Sequence, residues 1–168
     1  MFKKTYPKLS IVILILEILI LSSCESKYKK EIKMLQSNYW IITSTVLDIY
    51  TTHTITKNDV QREERTIHIF DKSGNIIIFD WQGNFKNSFR YKTIEESNRF
   101  SELLVSDKFN HDSKYLVMIS NGFLDLTEII IKDGTTASQQ SIFVPLSDSI
   151  LIKRIKTILE KKIYGVTD

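Results

Sequence analysis

Three histidines, one cysteine and a scatter of carboxylates are the residues of this 168-residue chain whose types can do chemistry. His68 sits in "TIHIF" and shares a strand face with Thr66 and Phe70. His53 follows "YTT", and His111 lies in the polar stretch "NHDSK". No two of them have the i, i+2 or i, i+4 spacing of common metal motifs, and no HExxH occurs. A zinc site from His53 and His68 across paired strands is geometrically open. It lacks the third ligand that zinc needs, so no metal is assigned. Asp125 lies between Leu124 and Leu126 in an apolar run. Facing a cavity, it would be a desolvated carboxylate of the kind that serves as a catalytic acid. Alternating outward, it is an ordinary wet-face residue. There is no GxSxG elbow, no glycine-rich phosphate loop and no EF-hand pattern, and "DKSGN" has only turn length. No catalytic residue is assigned. A hydrolase using buried carboxylates stays as an alternative.

Cys24 is the only cysteine, so no disulfide forms within the chain. What precedes it is ordered: Lys3, Lys4 and Lys8, then apolar residues 11–16 and 18–21 split by Glu17, then Ser22 and Ser23. Positive, apolar and small in that order is the layout of a secretory signal peptide. The apolar part is short of the about 20 residues needed to span a bilayer core. Leu21-Ser22-Ser23-Cys24 resembles the lipobox of bacterial lipoproteins. The resemblance implies cleavage between Ser23 and Cys24, with fatty chains such as palmitate on Cys24. It places the mature protein in the bacterial cell envelope, membrane-anchored and facing the periplasm or the exterior. Each buried methylene contributes about 0.8 kcal/mol, so two or three chains hold firmly where one does not. The alternative is an ordinary cysteine ending an uncleaved anchor. The covalent lipid aside, no cofactor is implied.

Removing residues 1–23 leaves 145 residues and lowers the formal charge from +3 to +1, since three lysines and one glutamate leave with them. That is one ordinary domain with no excess of positive charge for a polyanion. "FKNSFRYK" interleaves aromatic and basic residues as base-stacking strands do. Export argues against nucleic acid as the partner.

These residues must be positioned by the segments around them. Residues 24–37 read as a lipidated cysteine and polar tether, with a helical turn at 31–36. Lys27, Lys29, Lys30 and Lys33 are suited either to an anionic surface or to plain solvation. Residues 38–168 read as a single β-rich domain. A long strand opens at Tyr39 and bends or breaks near Asp48. Further strands are expected at 65–71, 75–81, 85–93, 114–120, 123–132 and 140–144, because β-branched and aromatic runs alternate with turns at Gly74, Gly83, Gly122 and Gly134. Such short connections make antiparallel pairs. The triplets Ile76-Ile77-Ile78 and Ile129-Ile130-Ile131 do not alternate, which implies burial on both faces. The expected cover is an amphipathic helix over about 148–164, capped at Ser147 or Ser149 and stopped by Gly165. Residues 93–113 read as either helix or strand, with strand favoured.

The expected fold is therefore mainly β (α+β): an antiparallel meander or barrel-like sheet with the C-terminal helix packed on it. If Phe85, Phe89 and Tyr91 face inward with Trp40 and Trp81, they line either a packed core or an apolar pocket. A tryptophan opening the first long strand in "NYWIITSTV", followed by glycine-turn hairpins, is similar to small lipocalin-like bacterial lipoproteins over residues 38–146. That likeness implies an up-and-down barrel whose mouth holds an apolar ligand. The function expected is a non-enzymatic binding module for an apolar small molecule or another envelope protein. An immunity or inhibitor lipoprotein that neutralises a protein partner belongs to the second branch.

Overall fold

The computed structural model describes residues 27–96, 99–106, 111–132 and 135–163. The signal segment, Ser23, Cys24, Ser97, Asn98, Gly134 and Gly165 lie outside the described residues. Helix α1 (Lys27–Ser37) is followed by nine strands: β1 (Tyr39–Ile49), β2 (Thr54–Asp59), β3 (Thr66–Phe70), β4 (Asn75–Asp80), β5 (Phe85–Glu96), β6 (Arg99–Ser106), β7 (Asp112–Ser120), β8 (Phe123–Lys132) and β9 (Thr135–Pro145). Helix α2 (Ser149–Ile163) ends the described chain. Neighbouring strands pair antiparallel, and β9 pairs back onto β1. The result is a closed eight-strand barrel with β2 outside it.

The long first strand explains the extra one. One edge of β1 carries β3 along Tyr39–Ile41 and β2 along Ser44–Ile49. Every residue of β2 is exposed. The strand runs through Asp48, and its irregularity lies instead between Ile42 and Ser44, opposite Phe143 and Ile142. A bulge there re-aims the following side chains without ending the strand.

Two hairpins share one turn chemistry. In Asp71-Lys72-Ser73-Gly74-Asn75, Asp71 Oδ1 accepts from the Ser73 and Asn75 amides, each at 2.8 Å, and Asp71 Oδ2 accepts from Asn75 Nδ2 at 2.9 Å. Asp80, Gln82 and Asn84 repeat the arrangement at 2.8–2.9 Å. In each the aspartate satisfies the turn's amides, and the glycine takes a positive φ, +81° at Gly74 and +82° at Gly83. These contacts hold Asp80 below the usual carboxylate range: the bonds from Asn84 and Gln82 and the charge of Lys86 outweigh a partial desolvation that works the other way.

Residues 93–96 and 99–106 are strand, not helix: β5 and β6 pair from Arg90↔Ser106 to Glu96↔Arg99. The barrel interior holds Trp40, Phe70, Ile76, Tyr91, Leu103, Leu124, Leu126 and Phe143. Helix α1 closes one end of it. Its Leu35 is fully buried in this core, and Tyr28 and Ile32 pack beside it. The helix is bound at both ends: Tyr28 Oη pairs with Thr93 Oγ1 at 2.9 Å, and Trp40 Nε1 donates to Leu35 O at 2.9 Å. Tyr28, Ile32 and Leu35, within the stretch read as tether, are thus packed on the barrel core.

Helix α2 covers the outside of β1, β3 and β4. Ile155 is fully buried there against Ile67, Ile69 and Phe79, with Leu151, Ile158 and Leu159 alongside. Ile77 joins this layer while Ile76 faces the barrel core, as the first isoleucine triplet implied. The second triplet is a correction. Ile129 and Ile131 are 50% and 76% exposed, because α2 lies over the other side of the barrel and nothing among the described residues covers them. The cap is also corrected. Asp148, rather than Ser147 or Ser149, accepts from the amides of Ile150 and Leu151 at 3.0 Å. Among the described residues, no helix is long and apolar enough to cross a membrane.

Candidate ligand cavity inside the barrel

Between the core layer over α1 and the far end of the barrel lies a cavity of about 260 Å³. Its floor and walls are Phe70, Ile76, Ile78, Phe89, Val105, Leu126 and Phe143. Its polar groups are His68, His111, Ser113, Tyr115 and Ser141. The wall composition follows from the two-residue period of strands. Phe70, Ile76 and Ile78 all turn inward from β3 and β4, where Ile76 pairs with Phe70 and Ile78 with His68. His111 precedes β7, at the barrel end away from α1, and is exposed. The cavity reaches the surface there.

Among the described residues, His68 is strongly perturbed. It lies deep in the protein, yet part of its surface opens on the cavity. Burial pushes its pKa down to about 4, so the ring is neutral near neutral pH. Its Nε2 pairs with Thr66 Oγ1 at 2.8 Å, and the ring meets Phe143 edge-on at 4.9 Å. Tyr115 is pushed above the usual phenol range, first by burial and then by the Glu128 carboxylate, to which its hydroxyl donates. Tyr91, just beneath the cavity, is raised first by burial, with the Asp71 charge in the same direction and a bond from Gln36 opposing it. Its hydroxyl donates to Asp71 O at 2.7 Å and accepts from Gln36 Nε2 at 3.0 Å, tying α1 to the β3–β4 turn.

The aromatic residues singled out from sequence part company. Phe89 lines the cavity. Trp40 and Tyr91 are buried in the core below it. Trp81 and Phe85 lie outside the barrel: Arg62 stacks over the Trp81 ring at 5.3 Å, and Phe85 meets Phe79 edge-on at 6.1 Å on the outer face. The separation of Phe85 from Phe89 has a definite cause. The register slips between Ile78 and Phe79, so Phe79 faces Phe85 while Ile78 faces Asn87. One extra residue reverses the inward and outward faces.

The histidines are likewise separated. His53 is exposed in the β1–β2 turn with φ 50°, whereas His68 is inside the barrel. Among the described residues, no three His, Cys, Asp or Glu side chains come together to hold a metal. Asp125 faces the outer wall, where its carboxylate accepts from Gln140 Nε2 and, at 3.2 Å, from Thr127 Oγ1. It shares an outer groove with Asp59, but Asp59 is exposed. The buried acid is Glu102, which sequence reading passed over, and it pairs with Lys114 at 2.7 Å. Its place on a strand face was readable once residues 99–106 are taken as strand.

No known protein family matches the chain, and comparison with curated proteins finds no relative.

Proposed function

We propose that this chain is a non-enzymatic binding module that holds a small, mostly apolar molecule in the barrel, and that lipid on Cys24 keeps it at a bilayer of the bacterial envelope. The cavity carries the first half of the reading. At about 260 Å³ it falls just below the ~300–1,000 Å³ typical of ligand sites, and it has their apolar lining with a few polar groups. Its size favours a short chain or one- or two-ring compound over a whole membrane lipid. The lipobox resemblance and the sole cysteine support the second half.

One preparation tests both. The wild-type chain, isolated from host membranes, is expected to carry labelled palmitate that Cys24→Ala lacks. Native mass spectrometry is expected to find a small molecule on the wild type and less on Val105→Phe, which fills the cavity. Equal small-molecule recovery from both folded proteins, or none from the wild type, would end the cavity reading. Equal palmitate on both would end the anchor reading.

A second reading, a protein partner of the inhibitor type, has one observation in its favour. Leu116, Met118, Phe123, Ile129 and Ile131 are exposed on β7 and β8. Exposed apolar side chains grouped in this way mark interaction surfaces more often than isolated ones do. Cross-linking in intact cells, lost in Met118→Lys and Ile131→Lys while cavity binding persists, would favour it.

A further inference from the structure

His68 has a single side-chain hydrogen bond among the described residues, and that bond uses Nε2. Nδ1 has no protein partner among them. The ring is partly buried, its remaining surface borders the cavity, and its cavity neighbours Phe70, Ile78 and Phe143 carry no hydrogen-bonding side chain. Buried polar atoms without partners are uncommon and costly, and each calls for an explanation. An imidazole nitrogen inside an apolar chamber is what orients a ligand that brings its own polar group.

We propose that His68 is the hydrogen-bonding anchor of the cavity, and that the ligand is a neutral molecule with a hydroxyl or carbonyl on an apolar body rather than a carboxylate. The proposal rests on the reading of the cavity as a ligand site. The Thr66 hydroxyl can either donate to Nε2 or accept from it. In the first case Nδ1 carries the proton and takes a carbonyl; in the second it is bare and takes a hydroxyl donor. A ligand hydroxyl serves both tautomers. A carboxylate fits poorly. The ring stays neutral at physiological pH, so it offers no cation. Glu128, held by Tyr115, adds negative charge on the same side of the barrel. His111 at the mouth is exposed to water, where a charge is strongly screened. An ionised group taken into the cavity gives up hydration that the few lining hydroxyls replace only in part.

Three probes test this on the ¹⁵N-labelled full chain near neutral pH, with nuclear magnetic resonance titration as the readout: toluene, 1-octanol and octanoate. The expected result is that toluene and octanol bind, that octanoate binds at least about a hundredfold more weakly than octanol, and that octanol shifts the His68 Nδ1 resonance. In His68→Phe, octanol is expected to lose about three- to tenfold in affinity, the worth of one neutral hydrogen bond, while toluene keeps its own. Octanoate binding as tightly as octanol, or an unmoved Nδ1 resonance with octanol bound, would overturn the anchor and leave an ordered water as the nitrogen's partner. These wild-type measurements decide the matter even if His68→Phe fails to fold. If toluene and octanol both fail to bind the folded wild type, the cavity reading itself falls and takes the anchor with it.

Discussion

Trp40 Nε1 donates to the main-chain carbonyl of Leu35 at 2.9 Å, and both residues are fully buried. That bond fastens the last turn of α1 to the first turn-in of β1 and seals one end of the barrel. A helix end normally leaves its final carbonyls unpaired, so an indole placed there meets a standing need.

The seal makes a two-part prediction. Leu35→Ala is expected to cost about 2–5 kcal/mol, as buried leucine truncations do. Trp40→Phe is expected to cost about 1–3 kcal/mol, since it leaves the Leu35 carbonyl buried without its donor. Urea unfolding of the full chain measures both. A loss below about 0.5 kcal/mol for Leu35→Ala would mean that α1 is a loose tether after all.

His68 predicts a pH dependence with a definite sign. Its pKa falls from 6.5 in the unfolded chain to about 4 in the folded one. Between these values the unfolded chain takes up a proton that the folded chain refuses. The native state therefore loses stability as pH falls from 6.5 toward about 4, and the full effect is about 3 kcal/mol. Above 6.5 this contribution is constant. Unfolding midpoints of wild type and His68→Gln across that window provide the check. A slope that survives in the variant would assign it to other groups.

The parts of this molecule that were legible in its sequence are those where one local rule acts alone. β8 begins at Phe123, where a turn with positive φ at Asn121 and Gly122 starts it, and its apolar run carries it to Lys132. The face shared by Thr66, His68 and Phe70 was readable from strand alternation, and it brings His68 to the cavity. What stayed hidden depends on departures from period. The bulge beside Phe79 sends Phe85 outward, and no residue type in "FKNSF" announces it. β2 is polar and exposed on both faces, so it carries no apolar pattern to read. The helix α1 did leave a signal: Tyr28, Ile32 and Leu35 recur at four- and three-residue steps, a stripe masked by the lysines between them.

Asp148 predicts where the C-terminal helix is held. Asp148→Ala removes the acceptor for two helix amides and is expected to cost about 1 kcal/mol. Ser147→Ala and Ser149→Ala are expected to change stability by less than about 0.5 kcal/mol. Thermal unfolding of the three variants distinguishes a cap at Asp148 from one at either serine.

Gly83 and Gly122 have nearly the same backbone, φ +82° and +81°, but different surroundings. An added Cβ at Gly122 meets nothing within 4 Å, whereas at Gly83 it would come within 2.7 Å of Leu151 Cδ1 on α2. Gly122→Ala is therefore expected to cost only the left-handed penalty of about 1–2 kcal/mol. Gly83→Ala carries that penalty and must also push Leu151 aside, so it is expected to be the more destabilising. Equal losses in chemical denaturation would show that Leu151 yields freely and that α2 is not seated against the β4–β5 turn.

The two isoleucine triplets predict opposite outcomes for the same substitution. Ile77 is partly buried and packs against the cluster of Ile67, Ile69, Phe79 and Ile155 beneath α2. Ile131 is 76% exposed. Ile77→Ala is expected to destabilise by about 2 kcal/mol or more through lost burial and an unfilled gap. Ile131→Ala is expected to change the stability of the isolated protein by less than about 0.5 kcal/mol. Equilibrium unfolding gives the comparison directly. A large loss at Ile131 would mean that the outer wall of β8 is covered in solution, by a second copy or by some other surface. The loss would then depend on protein concentration in the first case and not in the second, because only association between copies follows mass action in the chain itself.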